Sequence, residues 1–205
     1  GVWSGGAGTF SPNNTTLNAT YTPSAAEITA GTVTLTLTTT GNSACNAVSD
    51  NMIITITPAP SVNAGADVVR CSNNPSVTLN GSVTVASGGT WSGGAGACSP
   101  SNTALNATYT PTPAEISSGS VTLTLTSTGN GTCNAVSDQM IITFSPSPTA
   151  NAGPDQTKCA NNAATVLAGA VSIASGGQWS GGLGVFSHNA NTLNATYTPS
   201  ATEIA

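Results

Sequence analysis

Thr and aliphatic residues alternate along residues 120–128 (SVTLTLTST), with Val121, Leu123 and Leu125 on one side and Thr122, Thr124 and Thr126 on the other. A period of two sends successive side chains to opposite faces, so the stretch predicts a half-buried β-strand. Shorter strands are predicted at residues 66–71 (ADVVRC), 76–85 (SVTLNGSVTV) and 139–144 (QMIITF), the second interrupted by a turn or bulge signal at Asn80-Gly81. Residues 86–94 (ASGGTWSGG) predict a Gly-rich turn around Trp91, and residues 105–111 (LNATYTP) an extended segment closed by Pro111. Residues 129–138 predict a second turn and residues 145–155 (SPSPTANAGPD) a Pro-containing linker. No long helical period occurs. The one helical hint is a Ser or Thr three residues before a Glu at Ser24/Glu27, Thr112/Glu115 and Ser200/Glu203, the spacing of a capping box on a single turn.

The pattern recurs. LNATYTP stands unchanged at residues 17–23, 105–111 and 193–199, and Trp3, Trp91 and Trp179 share the same 88-residue offset. Residues 1–88 lie on 89–176 without a gap, with 56 of 88 positions identical, so the units share one fold. The expected division is a partial repeat at 1–59 holding the C-terminal part of a unit, a complete repeat at 60–147, and a partial repeat at 148–205 holding the N-terminal part of the next. Both ends fall at arbitrary points of the repeat, which reads as a window on a longer chain. Six or so short strands per unit, with turn signals every 8 to 12 residues, predict an all-β fold of tandem immunoglobulin-like antiparallel β-sandwiches.

Charge narrows the partners. Only 4% of residues are charged, against roughly 25% in ordinary globular proteins, while 38% are hydrophobic. Arg70 and Lys158 are the only cations, too few to neutralise a run of phosphates, which excludes nucleic acid and an anionic membrane surface as partners. The formal net charge of −5 is modest for 205 residues, so long-range steering is weak. Neutral partners are expected: glycans, apolar patches or further copies of the repeat.

Candidate chemistry is sparse. His188 is the only histidine, so a Ser-His-Asp or Cys-His site cannot recur in each unit, and no nucleophile elbow, P-loop or dinucleotide fingerprint occurs. Asp50, Asp67, Asp138 and Asp155 recur, but no spacing pairs two of them in a cleft as a glycoside hydrolase requires. The chain is expected not to be an enzyme. Those aspartates are weak calcium candidates at the junctions, with Asn63/Asp67 joined by Asp50, and Asn151/Asp155 joined by Asp138; Asx-turn capping is the plainer use. No cofactor is otherwise expected.

Asn18, Asn106 and Asn194 begin N-x-Thr sequons, although the surrounding heptad already has a structural role, with Leu and Tyr facing inward and Pro ending the strand. The tyrosine hydroxyl is expected to tie to nearby backbone at the corner. Trp91 and its counterparts are expected in the core rather than on a sugar-binding face.

Cys98 stands where the other units have Phe10 and Phe186, and reads as a buried free thiol in an apolar position. Cys45, Cys71, Cys133 and Cys159 lack His neighbours and C-x-x-C spacing, which disfavours zinc and indicates disulfides in an oxidising compartment. Either Cys71 joins Cys133 within a unit, or Cys45 joins Cys71 and Cys133 joins Cys159 across linkers. The first would stabilise a domain by ~4 kcal/mol in the chain-entropy model, and the second would stiffen the junctions.

A Cys after a short first strand (NAGADVVRC), the run WSGGAGTFSPNNTTLNATYTPSAAEITAGTVTLTLTTTGN and a second Cys before AVSDNMIITI resemble the repeats of giant Bacteroidetes cell-surface adhesins. Those are exported by the type IX system and include the gliding-motility adhesins. The resemblance spans essentially the whole chain. It implies immunoglobulin-like or PKD-like domains, display as long filaments at the cell surface, adhesion to a substratum or polysaccharide, and no catalytic residues. Two other functions fit the composition: a self-assembling filament or sheath subunit, favoured by the near-absence of repulsive charge, and a glycan-binding module, which needs exposed aromatics. An ice-binding surface is disfavoured, because one Thr-rich strand per unit gives no stacked Thr array.

Overall fold

A computed structural model describes residues 1–204. The complete unit comprises β1 (Ser61–Asn63), β2 (Val68–Cys71), β3 (Val77–Thr78), β4 (Ser82–Thr84), β5 (Gly88–Ser92), β6 (Ala97–Ser99), β7 (Thr108–Thr110), α1 (Pro113–Ser118), β8 (Ser120–Thr128) and β9 (Ser137–Ser145). A four-stranded sheet in the order β5-β8-β9-β2 faces a three-stranded sheet β6-β7-β3, and β1 pairs with β4. All pairings are antiparallel except β9 with β2, which run parallel with Ile142 opposite Val68 and Ser145 opposite Cys71. The immunoglobulin-like β-sandwich is therefore observed, with one parallel seam where the chain enters and leaves the same sheet.

The long hairpin β8–β9 supplies half of the buried core. Val121, Leu123 and Leu125 of β8 and Met140, Ile142 and Phe144 of β9 point inward, as the alternation requires, and meet Val77, Leu79, Trp91, Ala107 and Tyr109. The partial unit at 1–59 shows what the first part of a repeat contributes. Its hairpin pairs Val33 with Ile54 and Leu35 with Met52 in the same register, yet Met52 is 45% exposed where its counterpart Met140 is 3% exposed. Segment 60–88 is thus what closes the sandwich over the methionine.

Three details depart from expectation. The Gly-rich stretch around Trp91 is a strand, β5, paired along its whole length with β8 from Gly88↔Thr128 to Ser92↔Thr124. Gly89 makes this pairing possible: a Cβ there would stand 2.9 Å from Leu125 and 3.1 Å from Leu105, tighter than packed carbons tolerate. The linker contains a short strand, Thr149–Asn151, whereas the stretch 76–85 divides into β3 and β4 around Asn80-Gly81 as its turn signal predicts. Leu105 lies in the turn before β7, half-buried against the core, instead of on the strand itself.

α1 forms as its cap predicts. The Thr112 hydroxyl accepts from the Glu115 N–H, the Glu115 carboxylate accepts from the Thr112 N–H, and Gly119 ends the turn in the left-handed region at φ 85°. Ser24 and Glu27 repeat the box in the preceding unit.

Candidate functional site

The densest polar cluster of each unit centres on the capping-box glutamate. In the complete unit Glu115 Oε1 accepts from the Tyr109 hydroxyl at 2.7 Å and from the Ala95 N–H at 2.8 Å, while Oε2 accepts from the Thr112 N–H at 2.7 Å and the Thr112 hydroxyl at 3.0 Å. The Gly96 N–H donates to the Tyr109 oxygen at 3.0 Å, so the expected tyrosine corner is present. Glu27 with Tyr21 and Glu203 with Tyr197 rebuild the same set, the hydroxyl at 2.8 and 2.7 Å from the carboxylate. One carboxylate therefore fastens the loop after β5, the strand β7 and the helical turn.

The electrostatics follow from that geometry. Burial alone would raise the Glu115 carboxyl, but hydrogen bonds from Thr112, Tyr109 and Ala95 outweigh it and hold its pKa at about 2. Burial, reinforced by the carboxylate beside it, pushes the Tyr109 hydroxyl up to about 12. Neither group is poised for proton transfer near neutral pH, and the cluster is an anchor. A Cβ on Gly94 would collide with the Tyr109 hydroxyl, and Gly6 and Gly182 stand in the same relation to Tyr21 and Tyr197. The second glycine of the GG pair that follows each Trp-Ser is thereby explained.

Beside this corner a cleft of about 530 Å³ is lined by Trp91, Gly94, Cys98, Asn102, Tyr109 and Leu123. Trp91 is 2% exposed and its indole N–H donates to the Leu105 carbonyl at 3.3 Å, so it fills the core and offers no stacking face for a sugar. Cys98 lies opposite Tyr109 on paired strands β6 and β7, where Phe10 and Phe186 place rings 4.8 and 4.9 Å from their tyrosines. Half-buried in that apolar position, the free Cys98 thiol has its pKa raised by desolvation.

The aspartates serve the backbone. Asp138 accepts from the Ala64 N–H at 2.9 Å and Asp67 from the Ile141 N–H at 2.8 Å, both within one unit, and Asp50 accepts from the Asn51 N–H at 2.9 Å. Asp155 is exposed. The structure places Asp138 against the start of its own unit and not beside Asn151, because β9 begins at the entry end. Asn63 and Asn151 form Asx turns, accepting from the N–H of Gly65 at 2.7 Å and Gly153 at 2.8 Å. No group of three His, Cys, Asp or Glu converges among the described residues. Asn18, Asn106 and Asn194 are exposed on turns.

The structure corrects the cysteine pairings. All five cysteines are free. Cys71 lies beside Ser145 at the C-terminal end of β9, whereas Cys133 precedes the N-terminal end of that nine-residue strand. A strand of that length spans roughly 30 Å, far beyond the Cα separation a disulfide bridges, so Cys71–Cys133 cannot form within a unit. By the repeat, Cys45 and Cys133 hold one position of the unit and Cys71 and Cys159 another, and none of the four is bonded to another in the structure. What sequence reasoning missed is the contact each thiol does make: Cys133 Sγ lies 3.3 Å from Thr57 Oγ1 and 3.5 Å from the Pro58 carbonyl, and Cys71 Sγ lies 3.8 Å from the Pro146 carbonyl.

No family model matches the chain, and no curated protein matches it. Solved structures similar to it include extracellular cadherin domains 3–6 of protocadherin gamma B2, at 14% identity and TM-score 0.38, covering 98% of this chain and 58% of that one. The EC3-6 cis-dimer structure of protocadherin gammaB7 gives 15% identity and TM-score 0.37, covering 97% of this chain and 59% of that one. The protocadherin gammaB4 extracellular domain gives 13% identity and TM-score 0.34, covering 98% and 39%. The chain spans less than two thirds of the length of each. The β-sandwich is defined by its own strand pairings and owes nothing to these superpositions. Among the described residues no helix is long and apolar enough to cross a membrane.

Proposed function

We propose that this chain is a structural and adhesive repeat of a long extracellular filament at the cell surface, of the kind its sequence resembles in gliding-motility adhesins. One observation carries the reading: the complete unit is entered at one end and left at the other. The entry Pro58 lies against Cys133 in the β8–β9 loop, and the exit Pro146 lies against Cys71 at the far end of β9. Units so connected add length in one direction, and a polar, nearly uncharged exterior asks nothing of them but reach. Adhesion to a substratum or polysaccharide is assigned here to the filament as a whole, since the aromatic side chains of the complete unit, Trp91, Tyr109 and Phe144, are buried in the core.

Negative-stain imaging of chains carrying increasing numbers of repeats tests this. Thin single rods that lengthen by a constant increment of roughly 30 Å or more per repeat, set by the length of β9, are the expected result. Fibres of fixed width growing from short chains would favour the alternative, lateral assembly. A specific feature supports that second reading: Thr122, Thr124, Thr126, Gln139, Ile141 and Thr143 form a charge-free outer face, on which Ile141 is 41% exposed.

A further inference from the structure

Pro58 and Pro146 are the same position of successive repeats, yet different thiols meet them. The loop cysteine of the unit that follows sits on the Pro58 carbonyl, 3.5 Å away, and the strand cysteine of the unit that precedes sits on the Pro146 carbonyl, 3.8 Å away. Applying the repeat to itself puts both thiols on one carbonyl at every junction flanked by two full units. Their sulfurs are then no farther apart than those two distances taken together, with each free to swing about its χ1. Within residues 1–205 each junction holds only one of the two: Cys133 at Pro58, Cys71 at Pro146.

We infer that each junction is a disulfide site joining the β2-end cysteine of one unit to the β8–β9 loop cysteine of the next, so that Cys71 pairs with the following unit's counterpart of Cys133. Neighbouring cysteines in sequence are skipped, because the two that meet are brought together by the entry and exit of the chain and not by proximity along it. The hydroxyl of Thr57, 3.3 Å from Cys133 Sγ, lies on the same spot and lends the thiolate a donor. In the reaction each thiol loses its proton, and one attacks a low-molecular-weight disulfide. The second displaces it from the mixed disulfide, so the two sulfurs form one bond and the oxidant leaves as two thiols. The inference rests on the end-to-end stacking used above but not on adhesion.

The test extends the chain after Ala205 with a second copy of residues 118–147, which completes the third unit and supplies its loop cysteine, and replaces the original Cys133 by Ser so that the copy is unique. Folding is verified by circular dichroism, oxidised glutathione is added, and peptides are mapped without reduction. The expected result is a single cross-linked peptide pair, Cys71 with the appended cysteine, while Cys45, Cys98 and Cys159 remain open to alkylation. A Ser in the appended copy, with Cys133 restored, should return Cys71 to the free state. Quantitative alkylation of Cys71 in the folded extended chain, or its linkage to Cys45 or Cys159, would overturn the inference. Rods of the expected length with free Cys71 would sink the bond and leave the filament reading standing.

Discussion

Tyr109 and Glu115 are worth more to the unit than their size suggests, because each satisfies backbone donors that have no other partner. Tyr109→Phe removes the acceptor for Gly96 N–H and one donor to Glu115. Stranding such groups costs about 1–3 kcal/mol, and urea unfolding should register that loss while the strand content of the folded state stays unchanged. The pH dependence has a defined sign. Glu115 is held at about 2 against an ordinary 4.5, so its contribution is complete above 4.5 and disappears as the pH falls from there to about 2. Tyr109 is raised from 10.0 to about 12, so its contribution is complete below 10 and is lost as the pH rises through 12. The melting temperature should be flat between these limits and fall outside them, and Glu115→Gln should make the acid limb shallower, with Glu27 and Glu203, also held at about 2, supplying what remains. Cys98→Phe restores the aromatic pair seen at Phe10 and Tyr21, and is expected to raise stability by roughly 0.5–1.5 kcal/mol in the same assay. Chelation of calcium should leave the melting temperature unmoved, because Asp67 and Asp138 each already accept a backbone N–H on one oxygen and no third acidic group joins them among the described residues.

The elements differ in how plainly the sequence announces them. β8 was legible because Thr and aliphatic side chains alternate without interruption, and α1 because Thr112 and Glu115 have the only spacing that closes a capping box there. Thr112→Ala should cost about 1 kcal/mol, read in the same unfolding assay, and more if the carboxylate loses its hold on the Ala95 loop. β5 was hidden. Its Gly88 and Gly89 carry turn propensity when read locally, and only the crowding of Leu125 and Leu105 around Gly89 explains why a strand needs glycine there. The corner itself was half legible. The tyrosine's tie to backbone was expected from its place before Pro111, but its tie to Glu115 and the glutamate's reach to Ala95 were not. Constant spacing was the available signal, since Ala7–Glu27, Ala95–Glu115 and Leu183–Glu203 are all 20 residues apart.

At the scale of the molecule the repeat was the clearest message and the cysteines the most misleading. Counting pairs along the chain assumes that partners are neighbours in sequence. The parallel seam of β9 and β2 breaks that assumption by sending Cys71 to the exit and leaving Cys133 at the entry. That seam also fixes how a unit answers a pull. The chain arrives ahead of β2 and departs from the C-terminal end of β9, so tension along the rod drags two parallel neighbours past each other. The ladder between them, from Ile142–Val68 to Ser145–Cys71, is then loaded in shear, with its bonds strained together instead of opening one at a time like a zipper. Rupture under load is governed by the unfolding rate, so the weakest link of such a tether is set by four short residues of β2 holding against β9.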